Sequence, residues 1–190
     1  KAKFKSDVFL PHQYCKDCEP DGLQGMTAAA PYARKVREAL LRLKYKGRRR
    51  AARPLGQEMA KAWQRTGWLA DAILPVPLHK NKQKQRGYNQ CELLAVECGR
   101  ILGLPVLTQA LIREKETTVQ NKLNPNEREL NVSSAFVCGP EAAQLTGKRL
   151  ILLDDIITTG STMRACVAAL QKVKPAAIYG LAVASKLMRE

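Results

Sequence analysis

Apolar residues recur along this chain in two rhythms. Short unbroken runs at 72–78, 150–153 and 176–184 are too brief for free-standing helices and predict strands buried on both faces. Spacings of three and four predict helices between them. Val36, Leu40 and Leu43 share one face of a helix over 27–46, and Leu55, Met59 and Trp63 mark another over 55–66 that stops at Gly67. Cys91, Leu94, Cys98 and Ile101 form a stripe over 88–102 ended by Gly103, and Met163, Cys166, Val167 and Leu170 form one after Gly160. Short strands are predicted at 106–107, 111–112 and 134–137, and a short helix at 126–130. Strands and helices alternating at this spacing predict an α/β domain: a mostly parallel sheet with flanking helices, its strand carboxyl ends gathered on one rim.

Three segments lack a period. Residues 1–26 carry Pro11, Pro20, Gly22 and Gly25 and predict an irregular N-terminal segment ahead of a domain over 27–190. Cys15-x-x-Cys18 within it is half of a zinc knuckle, and a closed Zn²⁺ site takes four ligands. His12 and a distant Cys138 would complete the set, or the partners lie ahead of Lys1, or the pair is two exposed thiols on an arm. Residues 113–122 are charged and aperiodic, which suits either a mobile lid or a surface loop. The strand at 72–78 runs into Pro75-Val76-Pro77, where fixed φ and missing donors end the ladder in a turn. His79 to Gly87 then reads as a loop with four cations, Lys80, Lys82, Lys84 and Arg86. His79 is a candidate general acid/base or simply polar surface.

The richest chemistry follows the strand at 150–153. Asp154 and Asp155 stand at its end, and Ile157, Thr158, Thr159, Gly160, Ser161 and Thr162 lead into the next helical stripe. A strand, a polar loop with one glycine and a helix start make an anion cradle of backbone N–H groups and hydroxyls. Two carboxylates would repel a phosphate, so they suit sugar hydroxyls or a hydrated Mg²⁺ beside it. A nucleotide-triphosphate strand ending in acids needs a Gly-x-x-x-x-Gly-Lys-Ser/Thr loop upstream, and the chain has none. A phosphoacceptor receiver needs a later aspartate, and none follows Asp155. The stretch resembles the phosphoribosyl pyrophosphate (PRPP) signature of type I phosphoribosyltransferases. With a monophosphorylated pentose and magnesium supplied, the reading requires Asp154 and Asp155 to serve that ligand rather than internal salt bridges. Across the rim, the cationic loop after Pro77 suits a pyrophosphate leaving group.

Charge adds a second theme. The 190 residues carry 32 Lys+Arg against 17 Asp+Glu, a net +15, and such a field draws polyanions over about 10 Å. The densest cluster is Lys46, Arg48, Arg49 and Arg50 with Arg53; it is a solvated face or a surface for a nucleic-acid backbone. Tyr32 and Tyr45 are the aromatics nearby, so base stacking is poorly supported. Of six cysteines, Cys91, Cys98 and Cys166 fall on apolar helix faces and read as buried thiols, not a secreted disulfide framework. With no apolar run near the roughly 20 residues of a membrane span and no visible signal peptide, the expected setting is the cytoplasm.

Several blocks taken together resemble the ComF/GntX group of phosphoribosyltransferase-like competence proteins: Leu43-Lys44-Tyr45-Lys46-Gly47, Leu74-Pro75-Val76-Pro77-Leu78-His79, Arg86-Gly87-Tyr88-Asn89-Gln90, Arg128 with Asn131-Val132, Ala135-Phe136, and the acid-pair loop. The resemblance implies a type I phosphoribosyltransferase fold and PRPP binding with Mg²⁺. Asp154 and Asp155 would hold ribose hydroxyls, and Ile157 to Thr162 the 5′-phosphate. Pro75, Val76, Pro77 and Leu78, with Lys82 and Arg86, would face the pyrophosphate, under a hood carrying Arg113, Thr117 and Gln120. It further implies a place in DNA uptake beside single-stranded DNA and a competence helicase. The group usually opens with two Cys-x-x-Cys pairs where this chain has one, and Lys80-Asn81-Lys82 replaces the usual proline and arginines.

Overall fold

In a computed structural model, which describes residues 22–45, 47–114 and 135–186, the apolar runs become a four-stranded parallel sheet. Its order is β1 (Gly25–Pro31), β6 (Ala177–Ser185), β5 (Arg149–Ile157) and β2 (Ala72–Pro75). The two inner strands are near-continuous hydrophobic runs because helices cover both faces. Leu150, Ile151, Leu152 and Leu153 are completely buried. Pairing of β5 with β6 runs from Arg149–Ala177 to Ile157–Ser185, so the ladder carries the acid pair within regular structure. The predicted strand at 106–107 reduces to a single parallel bridge: Ile73 N–H donates to Pro105 and Leu107 N–H to Ile73, each at 2.9 Å.

The helices are α1 (Arg34–Tyr45), α2 (Ala52–Thr66), α3 (Lys80–Arg86), α4 (Gln90–Leu102) and α5 (Ser161–Leu170). A separate antiparallel hairpin pairs β3 (Leu111–Arg113) with β4 (Phe136–Cys138). α2 packs on α4, β1 and β6, while α4 packs on β2 and β5. Gly56 permits the close helix contact, since a Cβ there would sit 2.6 Å from Glu97 Cβ. From β2 the chain moves outward to Val106, and from β5 it moves the other way to β6. Right-handed crossovers in opposite directions put α4 and α5 on opposite faces and open a crevice at the carboxyl ends of β2 and β5. Among the described residues no helix is long and apolar enough to cross a membrane.

Several expectations change. Residues 27–31 are strand, not the first turns of a helix, which begins only at Arg34. Ala28, Ala29 and Ala30 favour a helix locally, but pairing with β6 overrides that preference. The strand also starts at Gly25, inside the segment expected to be irregular. Residues 80–86 are a helix rather than a loop. His79 Nδ1 accepts from Asn81 N–H at 3.3 Å to cap it, and Gly87 ends it at φ 78°. α4 starts at Gln90, not Tyr88, with Asn89 as its cap, and Ile101 lies off the buried stripe. The predicted helix at 126–130 lies outside the described residues.

Leu152→Ala should cost about 2–5 kcal/mol through the cavity left between two covered faces, read from urea unfolding. At the opposite end of the sheet, Asp71 accepts from Arg149 N–H at 2.8 Å and from its guanidinium at 2.6 and 3.1 Å. The Arg149 side chain, then its backbone N–H, lowers the Asp71 carboxyl to about 2. A lowered carboxylate stabilises the fold above its ordinary value near 4, and that stability disappears as pH falls toward 2. Asp71→Asn should therefore be less stable than the parent at pH 6, with the gap closing between pH 4 and 2 in unfolding curves.

Candidate functional site

The carboxyl end of β5 gathers charges that burial must balance. Asp155 is buried, and Asp154 is half-buried. Asp154 Oδ1 accepts from Asp155 N–H at 2.7 Å and from the Cys91 thiol at 3.5 Å. Burial of the Asp154 carboxyl, then the neighbouring Asp155 charge, pushes its pKa up to about 7. Burial likewise pushes the Cys91 thiol well up, so it stays protonated. Oxygens of both aspartates and Cys91 Sγ lie within 4.8 Å of one another. The two carboxylates are the hard donors that Mg²⁺ takes, and the protonated thiol is not, so the donor set fits a hydrated magnesium held by oxygen.

Asp155 is paired within the protein. Its Oδ2 forms an ion pair with Lys44 Nζ at 2.5 Å, and the same oxygen accepts from Gln90 Nε2 at 3.5 Å. Burial alone would lower the Lys44 pKa; the Asp155 charge and hydrogen bond outweigh it and the net direction is upward. Asp155 thus has an internal cationic partner, which a ligand at this oxygen would have to replace.

Beyond the acids, β5 ends at buried Ile157, and exposed Thr158 and Thr159 follow. Gly160 adopts left-handed backbone at φ 76° and immediately precedes α5. It offers no capping side chain, so beyond Ser161 the first-turn N–H groups of a ten-residue helix lie at the rim. Thr159 Oγ1 donates to Ser161 Oγ at 3.1 Å and accepts from Ser161 N–H at 3.4 Å. Arg164 Nη1 braces the bend by donating to Thr159 O at 3.2 Å. Thr162 is half-buried in the first turn of α5.

β2 supplies the facing wall. Val76 N–H donates to Leu153 O at 2.8 Å, extending the ladder one residue past Pro75, while Pro77 and Leu78 are half-buried in the turn. Asn89 fastens that turn to α4: its Nδ2 donates to Val76 O at 3.1 Å, and its Oδ1 accepts from Cys91 N–H at 2.9 Å. Arg86 donates to Gln90 Oε1, so α3 connects through Gln90 to Asp155. Lys82 and Arg86 line a cavity of about 350 Å³ together with Lys44, Tyr45 and Tyr88. The Tyr88 hydroxyl donates to Leu43 O, which holds the end of α1 against this junction.

The basic cluster forms a different surface. Arg48, Arg49 and Arg50 are exposed and, with Arg42, line a cavity of about 630 Å³. Arg49 is anchored, lying 4.8 Å over the Tyr88 ring and donating to Gly87 O at 3.3 Å. Arg113 sits on β3, 5.3 Å over the Phe136 ring. Cys138 Sγ donates to Ala169 O at 3.2 Å. Cys15, Cys18, Lys46, Thr117 and Gln120 lie outside the described residues, as does His12. His79 serves as the α3 cap. Sequence reasoning missed Lys44, Gln90 and Cys91 as members of the acid-pair site. Lys44 entered as part of a family-like block and Cys91 read as core; the blocks around Lys44 and Gln90 were the available signal.

Comparison with known proteins places this geometry. The phosphoribosyl transferase domain family matches residues 91–188, about half of the chain. Competence protein F of Haemophilus influenzae is 38% identical over 116 residues, covering 60% of this chain and 51% of that protein. The DNA utilization protein YhgH of Escherichia coli (strain K12) is 30% identical over 159 residues, 80% of this chain and 69% of the other. Competence protein ComFC of Bacillus subtilis is 28% identical over 177 residues, 88% and 70%. The chain thus spans about half the length of the Haemophilus relative. The family match begins at Cys91 and takes in the acid pair and the Gly160 bend, while Lys44, Lys82 and Arg86 precede it. The chain belongs to the phosphoribosyltransferase-domain family, in its ComF group of competence and DNA-utilization proteins.

Proposed function

We propose that the crevice between β2 and β5 binds PRPP with Mg²⁺, and that the chain transfers the phosphoribosyl group to an acceptor with release of pyrophosphate. The observation carrying this reading is the adjacency of Asp154 and Asp155 at the end of β5 to the left-handed Gly160 that opens α5. The N–H groups and hydroxyls of Ile157 to Thr162 suit the 5′-phosphate, and the carboxylates suit the ribose hydroxyls. Lys82 and Arg86, beyond the Pro75–Leu78 turn, suit the pyrophosphate. Arg113, on β3, would belong to the hood that the resemblance implies, together with Thr117 and Gln120, which lie outside the described residues.

In the reaction, the bond from the anomeric carbon to the acceptor forms as the bond to the pyrophosphate oxygen breaks. The electron pair leaves with pyrophosphate, and the acceptor gives its proton to solvent. The transition state has oxocarbenium character, so carboxylates near the ribose favour it electrostatically and cations favour the departing charge. Bound magnesium would supply Lewis-acid stabilisation of the diphosphate, held by Asp154 and Asp155. A ligand that takes Asp155 Oδ2 would displace Lys44 from it.

A second reading rests on the arginine-lined cavity and on the names of the relatives. In it the fold retains or senses PRPP while Arg48, Arg49 and Arg50 contact single-stranded DNA, in work shared with a competence helicase.

Calorimetry should record PRPP binding that depends on Mg²⁺ and weakens roughly ten- to hundredfold in Asp155→Asn, the loss of charge-assisted hydrogen bonds. Pyrophosphate release with candidate bases should vanish in the same variant, and absence of PRPP binding by the parent would overturn the assignment. Under the second reading, no base supports turnover, while the triple change Arg48→Ala, Arg49→Ala, Arg50→Ala abolishes single-stranded DNA binding in a salt-dependent gel-shift titration.

A further inference from the structure

We infer that Lys44 is a resident counter-ion of the acid pair, which leaves Asp155 when the magnesium–sugar diphosphate enters and turns to the diphosphate in the cavity it lines with Lys82 and Arg86. The inference rests on the PRPP reading of this site. A buried carboxylate with no partner is strongly destabilising, so Asp155 calls for a cation beside it. Lys44 supplies it: the two side chains are 19% and 7% exposed, 2.5 Å apart. The oxygen it holds is Asp155 Oδ2, which also accepts from Gln90, so a ligand that takes this oxygen displaces Lys44.

Lys44 also has somewhere to go. Its side chain borders both Asp155 and the cavity of about 350 Å³ that holds Lys82 and Arg86, and among the described residues no carboxylate lines that cavity. An ammonium on a four-carbon stem moves between the two by rotamer changes alone. The backbone stays fixed, since Leu43 O is held by Tyr88 and the Tyr45 ring lies under Arg86 at 5.3 Å. A divalent cation alone must compete with Lys44, whereas the diphosphate gives the displaced ammonium a partner. Metal and sugar diphosphate therefore bind cooperatively, and Lys44 is the source of the coupling.

The test uses the full chain, Mn²⁺ as the metal probe and PRPP as the anion. In Lys44→Met, free Mn²⁺ counted by electron paramagnetic resonance should show roughly tenfold tighter binding of the metal alone. Calorimetry should show roughly tenfold weaker PRPP binding with Mg²⁺, both figures being the loss of one charge contact. Lys44→Arg should keep Mn²⁺ binding near that of the parent. A role confined to holding α1 in place would lower thermal stability and leave both affinities unchanged, which overturns the inference. Should Lys44→Met not fold, the parent protein decides. With ¹⁵N-labelled lysine, the Lys44 ammonium resonance, assigned by its absence in Lys44→Arg, should shift when PRPP and Mg²⁺ are added. An unmoved resonance in a sample that binds PRPP rejects the Lys44 role and leaves the site reading standing. A parent protein that binds no PRPP at all rejects the site reading, and this inference with it.

Discussion

Two neighbouring carboxylates at the carboxyl end of β5, an inner strand of the sheet, impose the constraint that organises this molecule. Moving one such charge out of water costs several kcal/mol unless it is protonated, paired or hydrogen-bonded. The protein uses a different remedy for each. Asp154 is drawn toward its protonated form and accepts a backbone N–H, while Asp155 takes an ammonium and an amide. Both remedies demand that elements distant in sequence reach one rim. α1 must deliver Lys44, α4 must deliver Gln90 and Cys91, and the Tyr88–Leu43 and Asn89–Val76 hydrogen bonds keep them there.

The sheet explains why the demand can be met at that end. Divergent crossovers leave the carboxyl ends of β2 and β5 uncovered by either connecting helix, so side chains and helix starts converge there. The opposite end is built for cohesion. Asp71 and Arg149 form a two-pronged pair linking the starts of β2 and β5, and Trp68 stacks on Tyr179 at 4.8 Å with Trp63 edge-on at 5.6 Å. One end of the sheet concentrates strong, satisfied contacts; the other holds groups whose partners are exchangeable.

That division also governs what the sequence makes visible. β5 and β6 are legible because burial on both faces writes an unbroken apolar run, and α2, α4 and α5 because one buried face writes a stripe. The acid-pair loop is legible because its chemistry is local, a few consecutive residues on one turn. β1 is hidden by its alanines, whose strand state comes only from pairing with β6. α3 is hidden because Lys80 to Arg86 holds no apolar residue, so no period exists to read; His79 and Gly87 delimit it instead. The Lys44–Asp155 pair is tertiary throughout, and no local pattern distinguishes Lys44 from the other cations of α1.

The choice of lysine at this point is itself informative. An apolar residue at position 44 would fill the same space and leave Asp155 without compensation. Arginine would grip both carboxylate oxygens with a planar fork, a contact that a ligand displaces with difficulty. Arg49, one turn away on the neighbouring segment, shows that fixed behaviour in its stacking on Tyr88 and its bond to Gly87. A point charge on a flexible stem compensates Asp155 through one ion pair, and it is the cationic side chain that a competing partner displaces most readily.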